Sequence, residues 1–251
     1  MTTVLKFGGS SLSDLDALAA YLEGTTSTVI VHGGGPEIQK QLDLVGLPSE
    51  FRQGLRVTSA ETMDVVEMVL AGRVNKRIVA HLQKSGLPAA GLSGVDGATL
   101  LANLYGDGEW GQVGEISEVD VRLLGVLLEG GFLPVLSPVA FAPDFRPLNV
   151  NADTAAAAVA GALKAQTFVF FTDVPGLRDG DGRTVEQIGP AGIASMIASG
   201  VISGGMIPKM EAALQALKLG VGEVVIRSLA SPSKGTILKG DSNDVLAVCE
   251  L

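Results

Sequence analysis

The chain has 251 residues, of which 47% are hydrophobic, 18% charged and 4% aromatic, and its formal net charge is -9. So apolar a chain of this length can bury a core and is not disordered, and its acidic balance excludes a general nucleic-acid binder, which needs a basic face toward phosphates. One cysteine, Cys249, allows neither an internal disulfide nor a thiolate metal cluster and fits a reducing compartment.

The opening residues MTTVLKF carry no basic segment ahead of a long apolar run, so no signal peptide is expected. The richest apolar stretches, such as residues 155–163, are too short to span a bilayer, and a cytoplasmic protein is expected. Residues 4–7 read as a first strand and residues 28–32 as a second: both are short, β-branched or aromatic, and are followed by glycine. Pro36 then opens a helix to residue 45, with proline at a favoured first position. Residues 51–57 read as a hairpin. Thr58 and Glu61 have the spacing of a capping box before a helix reaching Ser85, stopped by Gly86 and weakened midway by Gly72. Residues 106–116, polar and rich in glycine, read as a second hairpin. Residues 134–137 are a strand, residues 152–164 an alanine-rich helix, and residues 167–172 and 224–228 two more strands. Residues 179–183 form a turn, and a helix begins at Pro208 and closes at Gly220. Strands alternating with helices predict an α/β fold with a largely parallel sheet buried on both faces. A boundary near Lys164 divides the chain into lobes of residues 1–164 and 165–251.

Three glycine clusters stand at strand or helix ends: Gly8-Gly9, Gly33-Gly34-Gly35 and Gly204-Gly205. Each could serve a tight turn alone. Together they suggest an anionic ligand, because a glycine turn at a helix start exposes backbone N–H groups and permits close approach. Familiar phosphate motifs are missing. No Gly-x-x-x-x-Gly-Lys-Ser/Thr string occurs, and the glycines at 106, 108 and 111 match a dinucleotide pattern but sit between acidic residues with no helix following. The acidic turn at 179–183 lacks the spacing of a calcium loop. Two distant histidines, His32 and His81, give zinc chemistry little support.

Four charged residues stand in unusual places. Lys6 lies in an apolar strand, which costs desolvation unless it is paired or the strand is an edge. Lys209 falls in the first turn of a helix, where a cation opposes the dipole unless an anion binds there or water solvates it. Asp153 begins the alanine-rich helix, either as an N-cap, a role also open to Asn151, or as a carboxylate holding the two lysines. Arg56 is either a clamp for a substrate carboxylate or a surface arginine.

The strings Lys6-Phe7-Gly8-Gly9, His32-Gly33-Gly34-Gly35-Pro36, Gly54-Leu55-Arg56-Val57-Thr58, Gly91-Leu92-Ser93-Gly94-Val95-Asp96-Gly97, Asn149-Val150-Asn151-Ala152-Asp153, Asp173-Val174-Pro175-Gly176-Leu177 and Gly204-Gly205-Met206-Ile207-Pro208-Lys209 occur in this order. The set resembles the amino acid kinase family over nearly the whole chain, and within it the branch acting on N-acetylglutamate. That resemblance implies a three-layer α/β/α sandwich in two lobes. It implies phosphorylation of the side-chain carboxylate of N-acetyl-L-glutamate by ATP, a step toward arginine, with Mg²⁺ delivered by the nucleotide and no metal ligand from the protein. The catalytic set would be Lys6, Lys209 and Asp153, the aspartate orienting both lysines. Gly33, Gly34, Arg56 and Asn149 would bind the acid. Gly8, Gly9, Asp173, Val174, Pro175, Gly176, Leu177, Val201, Ile202 and Ser203 would border the nucleotide.

The opening Lys6-Phe-Gly-Gly-Ser-Ser is closer to aspartokinases, which leaves a sister activity on aspartate or carrier-bound aminoadipate as an alternative, beside a non-catalytic sensor on the same fold. The chain starts at its first strand, whereas arginine-inhibited members carry an extra N-terminal helix. The resemblance therefore implies a homodimer, formed across the sheet edge and the helix of residues 61–85, without arginine feedback. The hairpin at 51–57 is the better of two candidates for a lid.

Overall fold

The computed structural model describes residues 1–8 and 14–240; Gly9 and Cys249 lie outside the described residues. Strand β1 (Thr3–Phe7) leads to α1 (Leu15–Leu22), and β2 (Thr28–His32) to α2 (Gly35–Val45). A hairpin, β3 (Phe51–Arg52) and β4 (Leu55–Arg56), precedes α3 (Ala60–Glu67), which passes through a π-helical turn (Met68–Val74) into α4 (Asn75–Lys84). Next come β5 (Ala89–Ser93), β6 (Leu100–Leu104), β7 (Val113–Val119), α5 (Arg122–Glu129), β8 (Leu133–Ser137), β9 (Val139–Phe141) and β10 (Pro147–Val150). The order ends with α6 (Ala152–Ala162), β11 (Thr167–Phe171), β12 (Gln187–Ile188), α7 (Pro190–Ala198), α8 (Met206–Lys218), β13 (Glu223–Arg227) and β14 (Thr236–Leu238).

Eight strands form one sheet in the order β12-β14-β13-β11-β1-β2-β8-β5. All its pairings are parallel except β13 with β14. The expected largely parallel α/β/α sandwich is therefore what forms. β1 lies at the centre, bonded to β11 on one side and β2 on the other. The edge-strand reading of Lys6 is thereby excluded. Side chains alternate across a strand, so Val4 packs with α6 and α8 on one face while Leu5 and Phe7 pack with α1 and α2 on the other. Lys6 shares the face of Val4, His32 that of Ile30. Sequence alone did not reveal a second sheet: β10, β7, β6 and β9 close on themselves beside the C-terminal ends of β8 and β5. Among the described residues, no helix is long and apolar enough to cross a membrane.

Four local expectations need correction. The cap of α3 is Ser59, whose side chain accepts from the Thr62 N–H; the hydroxyl of Thr58 is instead turned inward and donates to the Arg56 carbonyl at 2.7 Å. Helix α8 starts at Met206, two residues before Pro208. Proline is tolerated there because a first-turn N–H has no helical partner to lose. The hairpin expected at 106–116 is longer than that span: one arm, β6, lies before it, the other, β7, begins inside it at Val113, and the glycine-rich residues form the connecting turn. Gly72 falls within the π-helical turn rather than merely weakening a regular helix.

Candidate active site

The site gathers at the C-terminal ends of β1 and β2, where open parallel sheets commonly bind ligands. Helix α6 carries mostly small residues, chiefly alanine, along its buried face. Small side chains let it lie close over β1, which brings Asp153, in its first turn, beside the end of that strand. The Lys6 ammonium lies 2.8 Å from Asp153 Oδ1, and the Lys209 ammonium 3.0 Å from Asp153 Oδ2. Two cations thus share one carboxylate. Asn151 caps α6, accepting from the Asp153 N–H at 2.8 Å, so the aspartate side chain is spared that duty. Burial disfavours the charged form of Asp153, but the two lysines outweigh it and hold the carboxyl below the usual range.

Two glycines are dictated by close approach. A Cβ on Gly8 would stand 2.9 Å from the Gly33 nitrogen, and one on Gly34 would stand 2.6 Å from Leu70 Cδ2. The first contact lets the turns after β1 and β2 touch. The second seats the Gly33–Gly35 turn on the π-helical segment. Helix α2 begins here with Gly34 as cap and no side-chain bond to its free N–H groups, so those donors are open to an anion. Helix α8 likewise has Gly205 as its cap and no side-chain bond.

His32 lies just before this turn, fully buried. Asn75 Nδ2 can only donate, and it stands 3.1 Å from His32 Nε2. The ring proton therefore sits on Nδ1, which donates to the Gly33 carbonyl at 2.9 Å. The same carboxamide reaches the carbonyls of Leu92 and Val135. Burial is the main cause that lowers the His32 pKa to about 4. The folded state thus resists a proton that the unfolded chain accepts near pH 6.5. This contribution is complete above pH 6.5 and is lost as pH falls toward 4, a loss of about 3 kcal/mol in all. Denaturant titrations between pH 7 and 4 should show this slope, and His32→Gln should flatten it; an unchanged slope in the variant would rule the role out.

Arg56 is buried despite its charge. Its guanidinium donates to Gln39 Oε1 at 3.0 Å, to Ser49 Oγ and to the Gly35 carbonyl at 3.1 Å. It also lies over the Phe51 ring, 4.5 Å from the centroid. Desolvation lowers its pKa, partly countered by Asp43. Three of the five N–H donors of the fork are engaged in this way. The remainder can address a ligand carboxylate. The hairpin β3–β4 carries Phe51 and Arg56, so the expected lid and the expected clamp are one unit.

These residues enclose a cavity of about 260 Å³ whose walls include Lys6, Gly33, Gly34, Arg56, Asn149 and Asp153. The four residues expected to bind the acid are therefore brought together with Lys6 and Asp153. Lys209 is tied to the same centre through Asp153. The residues expected to border the nucleotide stand differently. Asp173, Val174 and Pro175 follow β11 with at least partial exposure, and Ser203 is exposed before α8. Gly176, Leu177 and Ile202 are buried, and Val201 is 39% exposed. Leu177 donates its N–H to Thr236 Oγ1, which ties the segment after β11 to β14. Among the described residues no group of three His, Cys, Asp or Glu could hold a metal ion. Sequence reading missed Thr58, Asn75, Gln39 and Ser49 as parts of the site.

The model of the amino acid kinase family matches residues 1–228. The chain belongs to the amino acid kinase family. It is 47% identical over 232 residues to an acetylglutamate kinase of Geobacillus kaustophilus, covering 90% of each chain. It is 42% identical to the acetylglutamate kinase of Methanopyrus kandleri, covering 94% of this chain and 99% of the other. Among solved structures, a Streptococcus mutans protein superposes with a TM-score of 0.86 at 30% identity, covering 96% of this chain and 99% of that one. A carbamate kinase of Giardia lamblia shares the fold alone, with a TM-score of 0.73 at 15% identity over 96% and 98% of the two chains.

As a family member with a buried arginine at the cavity wall, the protein should lose acid affinity when that arginine is removed. Arg56→Ala is expected to raise KM for the acid about ten- to a hundredfold, since a charge-assisted bond is worth about 1.5–3 kcal/mol. Initial rates across an acid titration read this directly; an unchanged KM in a folded variant would remove Arg56 from the binding set.

Proposed function

We propose that the chain transfers the γ-phosphoryl group of ATP to the side-chain carboxylate of N-acetyl-L-glutamate, giving the acyl phosphate used toward arginine. The observation that carries the mechanism is the Lys6–Asp153–Lys209 triad, of which Lys6 and Asp153 line a cavity that also holds Arg56 and Asn149 while Lys209 joins them through Asp153. Phosphoryl transfer needs alignment and charge stabilisation more than covalent help. Two fixed ammonium groups beside one carboxylate leave a net positive charge where transition-state negative charge would gather. The attacking carboxylate is already ionised near pH 7, so no general base is needed. This agrees with a buried, neutral His32 that serves the backbone instead.

In this reading Arg56 and Asn149 bind the acid, and the N–H groups at Gly8 and Gly34 meet phosphate and substrate; the Gly33 N–H is held by the Phe7 carbonyl at 2.8 Å, so Gly33 contributes close approach rather than a donor. Lys6 and Lys209 are catalytic, and Asp153 positions both. Residues 165–251 form the nucleotide lobe, with residues 173–177 and 201–203 at its border, and residues 1–164 hold the acid and the dimer contact. Mg²⁺ would come with ATP, held by phosphate and water, and would neutralise charge on the β- and γ-oxygens. Both Asp153 oxygens already face ammonium groups, which suits an ion carried by its nucleotide. The working form would be a cytoplasmic homodimer.

Hydroxylamine converts an acyl phosphate into a coloured hydroxamate. With ATP and a panel of acids, a hydroxamate is expected from N-acetyl-L-glutamate. A signal from aspartate alone, or from carrier-bound aminoadipate alone, would move the chain to a sister activity. Tight nucleotide binding with no turnover on any acid would make it a sensor.

A further inference from the structure

Thr58 is fully buried between the lid hairpin and the small second sheet. Its backbone N–H donates to the Trp110 carbonyl at 2.9 Å, and its carbonyl accepts from the Gln112 N–H at 2.7 Å. The Gln112 carbonyl in turn accepts from the Asn149 N–H at 2.8 Å. The Thr58 hydroxyl stands 2.7 Å from the Arg56 carbonyl and 3.0 Å from Asn149 Nδ2. One side chain therefore contacts both residues that the cavity offers to an acid substrate.

The hydrogen-bond inventory decides the directions. A carbonyl oxygen only accepts, so the single hydroxyl proton of Thr58 goes to Arg56. The hydroxyl can then only accept from Asn149, which must turn its amide N–H₂ edge toward Thr58. The flip of that carboxamide is thus set by chemistry rather than by a choice between similar atoms. We propose that Thr58 is a specificity-determining positioning residue. Its hydroxyl fixes which edge of Asn149 meets the substrate and holds the strand that carries Arg56. Given the proposed function, on which this inference rests, the substrate concerned is the N-acylated acidic amino acid and not the nucleotide. The acid is the partner that Asn149 and Arg56 address, whereas the Thr58 hydroxyl bonds to none of Lys6, Lys209 and Asp153.

Thr58→Val keeps the shape and removes the hydroxyl. It should raise KM for N-acetyl-L-glutamate about tenfold, with kcat and KM for ATP within twofold of the unchanged protein. Thr58→Ser restores the hydroxyl and should restore KM. Equal changes in both KM values, a change in kcat alone, or no change would overturn the inference. A KM shift that serine fails to rescue would overturn it as well, because that marks a packing effect. Should Thr58→Val not fold, ¹⁵N spectra of the unchanged protein, assigned through Asn149→Ser, decide. One Asn149 carboxamide proton should exchange slowly, and rapid exchange of both protons would refute the bond. If the unchanged protein forms no hydroxamate with N-acetyl-L-glutamate, the function and this inference fall together. If it does and Thr58→Val keeps its KM, the inference falls alone.

Discussion

Asp153→Asn is expected to lower kcat about a hundredfold or more, on the scale of losing a preorganised charge-stabilising group. The substitution changes almost no volume but removes the negative charge between two cations, whose ammonium groups lie 2.8 and 3.0 Å from its oxygens. An asparagine keeps an acceptor in place of only one of the two carboxylate oxygens, and its N–H₂ edge faces the other lysine. Lys6 is nearly enclosed in the central strand and has no easy way out to water. Breaking a buried ion pair by removing one partner costs about 3–5 kcal/mol, so a lower melting temperature should accompany the loss of turnover. The two readouts separate the causes. ATP binds the folded state and should recover part of the melting temperature by mass action, while kcat at saturating substrates stays low. A kcat within threefold of the unchanged protein would show that Asp153 does not position the lysines for catalysis. The pH trend follows the same charge. Because the Asp153 carboxyl is held below the ordinary range, its contribution is fully present above the unfolded-state pKa and is lost as pH falls from there through the lower folded value.

The sequence makes the middle of the sheet legible and its margins obscure, for a physical reason. β1, β2, β8, β11 and β13 are buried on both faces, so they read as short continuous apolar runs. β5 is an edge strand of sequence AAGLS with weak strand preference, and β12 and β14 have two and three residues. The short strands β9 and β10 take their pairing from the second sheet, which no local pattern announces. The site divides in the same manner. Lys6 stands out because charge interrupts an apolar strand, and the glycine turns stand out through composition. Asp153 remains ambiguous with an N-cap until the structure gives that work to Asn151. Thr58, Asn75, Gln39 and Ser49 carry no signal of their own. Apart from the bond of Thr58 to the Arg56 carbonyl two positions away, their partners lie 7 to 91 positions away, and only the closed fold sets them. Thr58 shows the difficulty well. Its position before a helix suggests a cap, yet Ser59 takes that role and Thr58 turns inward.

Lys209→Ala offers the cleaner view of catalysis, because its side chain is 26% exposed whereas that of Lys6 is 10% exposed. Loss of Lys209 should leave the fold intact and lower kcat about a hundred- to a thousandfold, with KM for the acid little changed. Such a pattern marks an interaction made in the transition state rather than in the ground state. Lys6→Ala should reduce kcat comparably but also destabilise the chain, since it leaves Asp153 half-paired in the interior. The decisive comparison is the double variant Lys209→Ala with Asp153→Asn. If the aspartate acts by placing the lysine, the second substitution has less left to remove, and the combined loss of kcat falls well short of the product of the two single losses. Independent action would instead multiply them. A fully multiplicative result, with each variant folded by its melting curve, would refute the view of Lys6, Asp153 and Lys209 as one device.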